Sequence, residues 1–228
     1  MHPSPDAPLF RPIAERAVLV EFGTTLNHAA HDAVLRLDQA LAAQPFTGFR
    51  EAVPAFVNLL VEFDPLTTDH PTAITHLRSL LSAKTAARAE PTAREVLICY
   101  DLDLAPDLTA VAQQTGLVPE TVINAHLSGD YAVFMYGFAP GYAYLGGVPE
   151  PIRLDRKPSP LRGVAAGSVI IAGAQCLVST LLMPTGWWII GRSPTRILTN
   201  DAARPFFFDV GDKVQFRRIS RAEYEAAR

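Results

Sequence analysis

The residue types that can do chemistry are concentrated between Met135 and Pro194. The run Tyr136-Gly137-Phe138-Ala139-Pro140-Gly141-Tyr142-Ala143-Tyr144-Leu145-Gly146-Gly147 interleaves glycines, a proline and aromatic rings. Glycine tolerates positive φ and lets backbone approach a ligand closely, while aromatic faces exclude water and a tyrosine keeps a hydroxyl for a polar group. That mixture builds small-molecule pockets. It equally describes an irregular loop packed for structural reasons, and the residues alone do not choose between the two. A basic stretch follows, Arg153, Arg156, Lys157 and Arg162, held extended by Pro158 and Pro160. Its cations can meet a carboxylate or a partner chain, or simply be solvated. Farther on, Pro184-Thr185-Gly186-Trp187-Trp188-Ile189-Ile190-Gly191-Arg192-Ser193-Pro194 reads as a tight turn, an aromatic strand and an arginine at the strand's end. Strand side chains alternate, so one of Trp187 and Trp188 faces inward and its neighbour outward.

Other candidates carry less. His28 and His31 stand three apart near a helix start, but no carboxylate or cysteine completes a metal set, and the pattern reads as two solvent-facing helix residues. His126 falls late in a short helix, where an imidazole interacts with terminal carbonyls. Cys176 reads as a small buried thiol, because a nucleophile needs a base that the local sequence does not supply. There is no G-x-S-x-G elbow, no phosphate-cradling G-x-x-x-x-G-K-[ST] and no H-E-x-x-H. The chain alone is therefore a poor hydrolase or nucleotide binder.

The elements that must position these residues fall into two groups. Ala17 to Phe22 is β-rich and stops at Gly23, and Asn27 caps a helix carrying Val34, Leu37 and Leu41. Strands at Phe49 to Val53 and Val57 to Phe63 flank Pro54-Ala55, and a second helix carries Ile74, Leu77 and Leu81. The order β-α-β-β-α predicts a small α+β sandwich of ferredoxin-like type over residues 1–90. Lys84 to Arg94, Ala-rich and broken by Pro91, reads as a helix end and linker. Beyond it, over residues 91–228, comes a strand at Glu95 to Tyr100. Two short helices open near Pro106 and Pro119 and end near Gly116 and Gly129. Strands then follow at Tyr131 to Tyr136, Ser168 to Ala172, Gln175 to Thr180, Trp187 to Gly191, Phe206 to Asp209 and Lys213 to Ile219. So many short strands predict a barrel-like β domain.

Bulk properties exclude several classes. A chain of 228 residues with 49% hydrophobic and 19% charged residues buries a real core. The net charge of -3, with no long run of either sign, gives no footprint for nucleic acid. Cys99 and Cys176, far apart, suit a reducing compartment. Met1 to Pro8 has no signal-peptide pattern and reads as a frayed tail, and no apolar run reaches the roughly 18 residues of a membrane span. The expected location is cytoplasmic.

Gly137-Phe138-Ala139-Pro140-Gly141-Tyr142-Ala143-Tyr144-Leu145-Gly146-Gly147, Ala166-Gly167-Ser168-Val169, Ala172-Gly173-Ala174-Gln175 and Gly186-Trp187 with Ile190-Gly191-Arg192-Ser193-Pro194 together resemble the KipI / 5-oxoprolinase B-subunit family, also called allophanate hydrolase subunit 1. Leu19 to Gly23, Val53 to Phe56, Leu59 to Val61 and Thr115 to Leu117 fit in the same order. The resemblance implies a small N-terminal α+β domain and a cyclophilin-like β-barrel domain related to half of a carboxyltransferase module. It further implies one component of an ATP-dependent 5-oxoprolinase, opening the lactam of 5-oxoproline to glutamate together with a KipA-like C subunit and a LamB/YcsF-like A subunit. Alternatives within the family are an inhibitor of a histidine kinase and the carboxyltransferase half of a biotin-dependent urea or amide carboxylase. The residues then expected at the substrate are Phe138, Pro140, Gly141, Tyr142, Tyr144, Arg162, Gln175, Trp187 and Arg192. Arg192, Gln175 and Tyr142 orient it, Phe138, Tyr144 and Trp187 wall it, and Arg162 holds a carboxylate or the partner. The sequence departs from the family at Gln175 to Thr180, where Gln-Thr-Gly-Ile-Tyr-Pro is usual, and at Thr185 and Tyr142, where Gly and Phe are common.

Overall fold

The structure, a computed structural model, describes residues 7–83 and 91–228. Most of the tail and of the linker expected from the sequence lies outside the described residues. The chain divides into two compact units, Met1–Glu90 and Pro91–Arg228.

The first unit holds β1 (Leu9–Ile13), β2 (Ala17–Glu21), α1 (His28–Ala43), β3 (Phe49–Ala55), β4 (Asn58–Phe63) and α2 (His70–Ser82). Its antiparallel sheet runs β1-β2-β4-β3. Alternation decides which face is covered: Val18, Val20, Leu59, Val61 and Phe63 share a core with Val34, Leu37, Leu41, Leu77 and Leu80 of the helices. Asn27 Oδ1 accepts from Ala30 N at 2.8 Å and Asp69 Oδ1 from Thr72 N at 2.9 Å, so both helix starts are capped, each for about 1 kcal/mol. Two expectations change. Pro54 lies inside β3, which tolerates it as an edge strand, and the chain turns at Phe56 instead. His31 is buried with Nδ1 2.8 Å from the Phe56 carbonyl oxygen, not solvent-facing.

The second unit contains β5 (Ala93–Ile98), α3 (Leu108–Thr115), α4 (Pro119–Leu127), β6 (Tyr131–Tyr136), β7 (Ala143–Gly146), a 3-10 turn (Glu150–Ile152) and β8 (Leu161–Val164). After these come β9 (Ser168–Ala172), β10 (Gln175–Val178), β11 (Met183–Thr185), β12 (Trp188–Arg192), β13 (Lys213–Arg218) and α5 (Arg221–Ala226). Seven strands form one sheet in the order β12-β9-β10-β7-β6-β13-β5, with only β13 and β5 parallel. Its two edges meet in a bridge where Cys99 N donates to Arg192 O at 2.8 Å and Arg192 N to Cys99 O at 2.9 Å. The result is a nearly closed barrel. Gly191 permits the seam, since a Cβ there would stand 2.7 Å from Ile98 Cδ1 and 3.0 Å from Cys99 O.

One face of this sheet, with Val96, Ile98, Val133, Leu145, Ile171, Val178, Trp188 and Ile190, forms the main core together with α3 and α4. The other face of β9, β10 and β12 presents Ile170, Leu177 and Ile189, and these pack with Tyr142, Trp187, Val164 and Met183. The tryptophans therefore do alternate, but the outward one is not solvent-facing: Trp187 is 5% exposed and Trp188 8%. Phe206 to Asp209 is not a strand, having only a Leu198–Phe206 bridge, although Phe208 is buried in the core.

Candidate functional site

Two clefts of the second unit take up residues singled out in the sequence. The first grows from the turn between β6 and β7, where Gly137 N donates to Tyr142 O at 3.1 Å and Tyr142 N to Ala139 O at 3.0 Å. Gly141 at φ +67° suits such a turn; Phe138 at φ +72° does not, because a bulky side chain in the left-handed region costs about 1–2 kcal/mol. The turn places four rings in series: Phe138 to Tyr142 at 5.4 Å, Tyr142 to Tyr144 at 5.8 Å, and Tyr144 to Trp187 at 6.0 Å between centroids. The Arg156 guanidinium sits over the Trp187 ring, 5.7 Å from its centroid. With Pro160, Leu177, Pro184, Thr185 and Gly186 these residues enclose about 270 Å³, at the small end for a ligand site. Burial, reinforced by Tyr144, pushes the Tyr142 hydroxyl up to about 12, while Arg156 pulls it the other way. At neutral pH Tyr142 is thus a neutral donor beside an arginine and flat apolar walls, a set that suits a small planar amide bearing a carboxylate.

The second cleft, about 450 Å³, gathers Arg192, Arg196 and Arg228 with Ser179, Ser193 and Thr195, and among the described residues no carboxylate side chain lines it. Arg192 Nη2 lies 3.4 Å from Ser168 Oγ, while its Nε is buried with no hydrogen-bond partner.

The residues expected at one site are thus divided. Phe138, Tyr142, Tyr144 and Trp187 come together in the aromatic cleft, and Arg192 lines the other. Pro140 and Gly141 brace the turn against the wall of the Arg192 cleft: Thr180 Oγ1 donates to Pro140 O at 2.9 Å, and a Cβ on Gly141 would meet Leu198 at 2.7 Å. Gln175 pairs with Gly146 and Ala172 in the ladder and lines neither cleft, and Arg162 is exposed on β8 and lines neither. Arg156 is the cation of the basic stretch that the cleft takes up, a role its sequence position does not distinguish. The signal lies in its neighbours, because Arg153 Nε donates to Val148 O at 2.8 Å and the Lys157 ammonium pairs with Asp107. Adjacent residues in an extended chain point apart, and Lys157 lies over Trp188 at 5.5 Å while Arg156 lies over Trp187.

A second constellation lies in the core. His126 does not serve the carbonyls at its helix end; its ring is fully buried, with Nδ1 2.7 Å from Tyr100 Oη and Nε2 3.5 Å from Cys176 Sγ. Burial lowers His126 to about 3 and raises the Cys176 thiol far above its ordinary range, so both are neutral. A thiol without thiolate character is not a nucleophile. The fold does bring Cys176 the base that its neighbours in sequence lack, yet the pair acts as core packing with its hydrogen bonds met.

Known proteins share this architecture. The sequence profile described as "Carboxyltransferase domain, subdomain C and D" matches residues 8–208. A curated protein from Bacillus subtilis (strain 168), named as the B subunit of 5-oxoprolinase, is 35% identical over 230 residues, 94% of each chain. Another of that name, from Escherichia coli O157:H7, is 33% identical over 207 residues, 90% of this chain and 93% of its own. The crystal structure of TTHA0988 superposes with a TM-score of 0.80 at 32% identity, covering 90% of this chain, which spans 40% of that one. The K. lactis urea amidolyase shares the fold at a TM-score of 0.75 and 17% identity, over 96% of this chain and 15% of its own.

Proposed function

Because the chain belongs to the family of the carboxyltransferase domain, subdomain C and D, we propose that it is the B subunit of a 5-oxoprolinase-type complex. The observation that carries this reading is its likeness to proteins named as 5-oxoprolinase B subunits over nearly the whole of both chains. The aromatic cleft agrees with it. A five-membered lactam is small enough for the cleft lined by Tyr144 and Trp187, the Tyr142 hydroxyl donates to its carbonyl oxygen, and Arg156 pairs with its carboxylate.

Ring opening breaks the C–N bond of a resonance-stabilised amide, adding hydroxyl to the carbonyl carbon and a proton to nitrogen to give glutamate. ATP hydrolysis supplies the driving force. The sequence has no G-x-x-x-x-G-K-[ST] loop, and the lining of the aromatic cleft includes no carboxylate, histidine or thiol. This reading therefore gives ATP and the reactive groups to the other two components, the KipA-like C subunit and the LamB/YcsF-like A subunit. It also takes the first unit as ferredoxin-like, with β1 in the place of the closing strand, the second as cyclophilin-like, and the location as cytoplasmic. Among the described residues no helix is long and apolar enough to cross a membrane.

The family description also leaves room for a carboxyltransferase half of a biotin-dependent enzyme, which would make turnover depend on bicarbonate and a biotinylated carrier. The deciding experiment mixes the three purified subunits and follows glutamate and ADP. ATP-dependent glutamate formation from 5-oxoproline that disappears when this chain is omitted supports the reading. Equal rates with and without it overturn the reading.

A further inference from the structure

The mouth of the aromatic cleft is apolar where a free surface has no use for it. Phe138 is 72% exposed, and Leu161, Leu181 and Leu182 are 46%, 43% and 73% exposed. They lie on adjoining segments. Phe138 and Pro160 line the same cleft, Leu161 follows Pro160 and stands opposite Thr185, and Leu181 and Leu182 follow Thr180, whose hydroxyl is bonded to Pro140. Scattered apolar residues on a surface are ordinary, but a contiguous group marks a contact site.

Phe138 adds an independent observation, since its ring is held out in solvent by a backbone conformation that glycine adopts without strain. A large aromatic side chain kept at such a position, and not buried by its own chain, has the properties of an interface anchor. The rim carries a cation: Arg162 is exposed on β8 and, among the described residues, makes no ion pair. In TTHA0988 the region similar to this chain is 40% of a longer polypeptide, so this fold occurs covalently joined to further chain.

We infer that this patch, anchored by Phe138 and rimmed by Arg162, is the docking surface for the partner subunit that completes the site, and that the partner offers an apolar segment flanked by a carboxylate. The inference rests on the proposed function for the existence of a partner, and it adds where that partner binds.

The test is isothermal titration of this chain with the purified KipA-like subunit. Phe138→Gly, Leu182→Glu and Arg162→Glu are each expected to weaken Kd at least ~10-fold, with the wild-type Kd rising with salt as cation–carboxylate contacts are screened. Thermal melting keeps the fold in view. Phe138→Gly relieves the left-handed strain and leaves Tm unchanged or higher, and Leu182→Glu alters only an exposed side chain. If the wild type binds and all three variants bind as tightly, the patch is not the interface and the proposed function stands. If the wild type forms no complex and adds nothing to turnover, both fall together. If the wild type self-associates and Leu182→Glu is monomeric with unchanged affinity for the partner, the surface belongs to a second copy and the inference is overturned.

Discussion

Cys176 Sγ and His126 Nε2 stand 3.5 Å apart inside the barrel, the spacing of a nucleophile and its base, and burial deprives both of the charge such chemistry needs. Cys176→Ala should therefore leave the turnover of the reconstituted complex unchanged per folded molecule while costing roughly 1–2 kcal/mol in urea unfolding. Loss of turnover with an intact fold would make Cys176 catalytic.

The same histidine sets an acid limb. Its folded value of about 3 lies below its ordinary 6.5, so between these values the unfolded chain binds the extra proton and stability falls as pH falls. The limiting slope is about 1.4 kcal/mol per pH unit, and it vanishes above about pH 6.5. His126→Gln should flatten this limb in unfolding curves recorded from about pH 7 to 4. An unchanged limb assigns the acid sensitivity to other groups.

Arg156 and Arg162 test the site against its surroundings, because one lies on Trp187 within the cleft and the other lines no cleft. Arg156→Gln should raise KM for the lactam about ten- to a hundred-fold, the worth of a charge-assisted hydrogen bond, with Tm nearly constant. Arg162→Gln should leave KM alone in the assembled complex. Equal effects would move the carboxylate contact out of the cleft.

Tyr142→Phe keeps the wall and removes the donor. A fall in kcat with little change in KM is expected if the hydroxyl serves the lactam oxygen as charge builds on it. A change in KM alone would make it a ground-state contact.

Gly191→Ala should open the seam, because its Cβ would stand within 3.0 Å of both Ile98 Cδ1 and the Cys99 carbonyl oxygen. The expected cost is roughly 1–3 kcal/mol, read by urea unfolding. No loss would mean that the edges of β5 and β12 adjust freely.

Much of this fold is legible in the sequence because its signals are local. Asn27 caps, Pro119 opens a helix, Gly116 closes one in the left-handed conformation, and the apolar runs of β6, β9 and β10 lie where the residue pattern puts them. Short elements are not legible. β7, β8 and β11 have four residues or fewer, and β1 is an almost wholly exposed edge strand containing Pro12, so neither alternation nor propensity marks them. α5 carries one strong signal, its Ser220–Glu223 capping box, on a helix of only six residues. The site is half legible. Local spacing brings Phe138, Tyr142 and Tyr144 together, but the place of Arg192 and Gln175 depends on how strands pair across the barrel. The pairing of His126 with Cys176 spans 50 residues of chain, a distance at which one sequence read alone is silent.

The last rung of the barrel fastens Arg192 through its main chain to Cys99 on the opposite margin. That residue therefore belongs to two structures at once, its main chain to a clasp and its guanidinium to a charged hollow. Whatever loosens the clasp displaces the positive charge with it, so the hollow keeps its shape only while the cylinder stays shut.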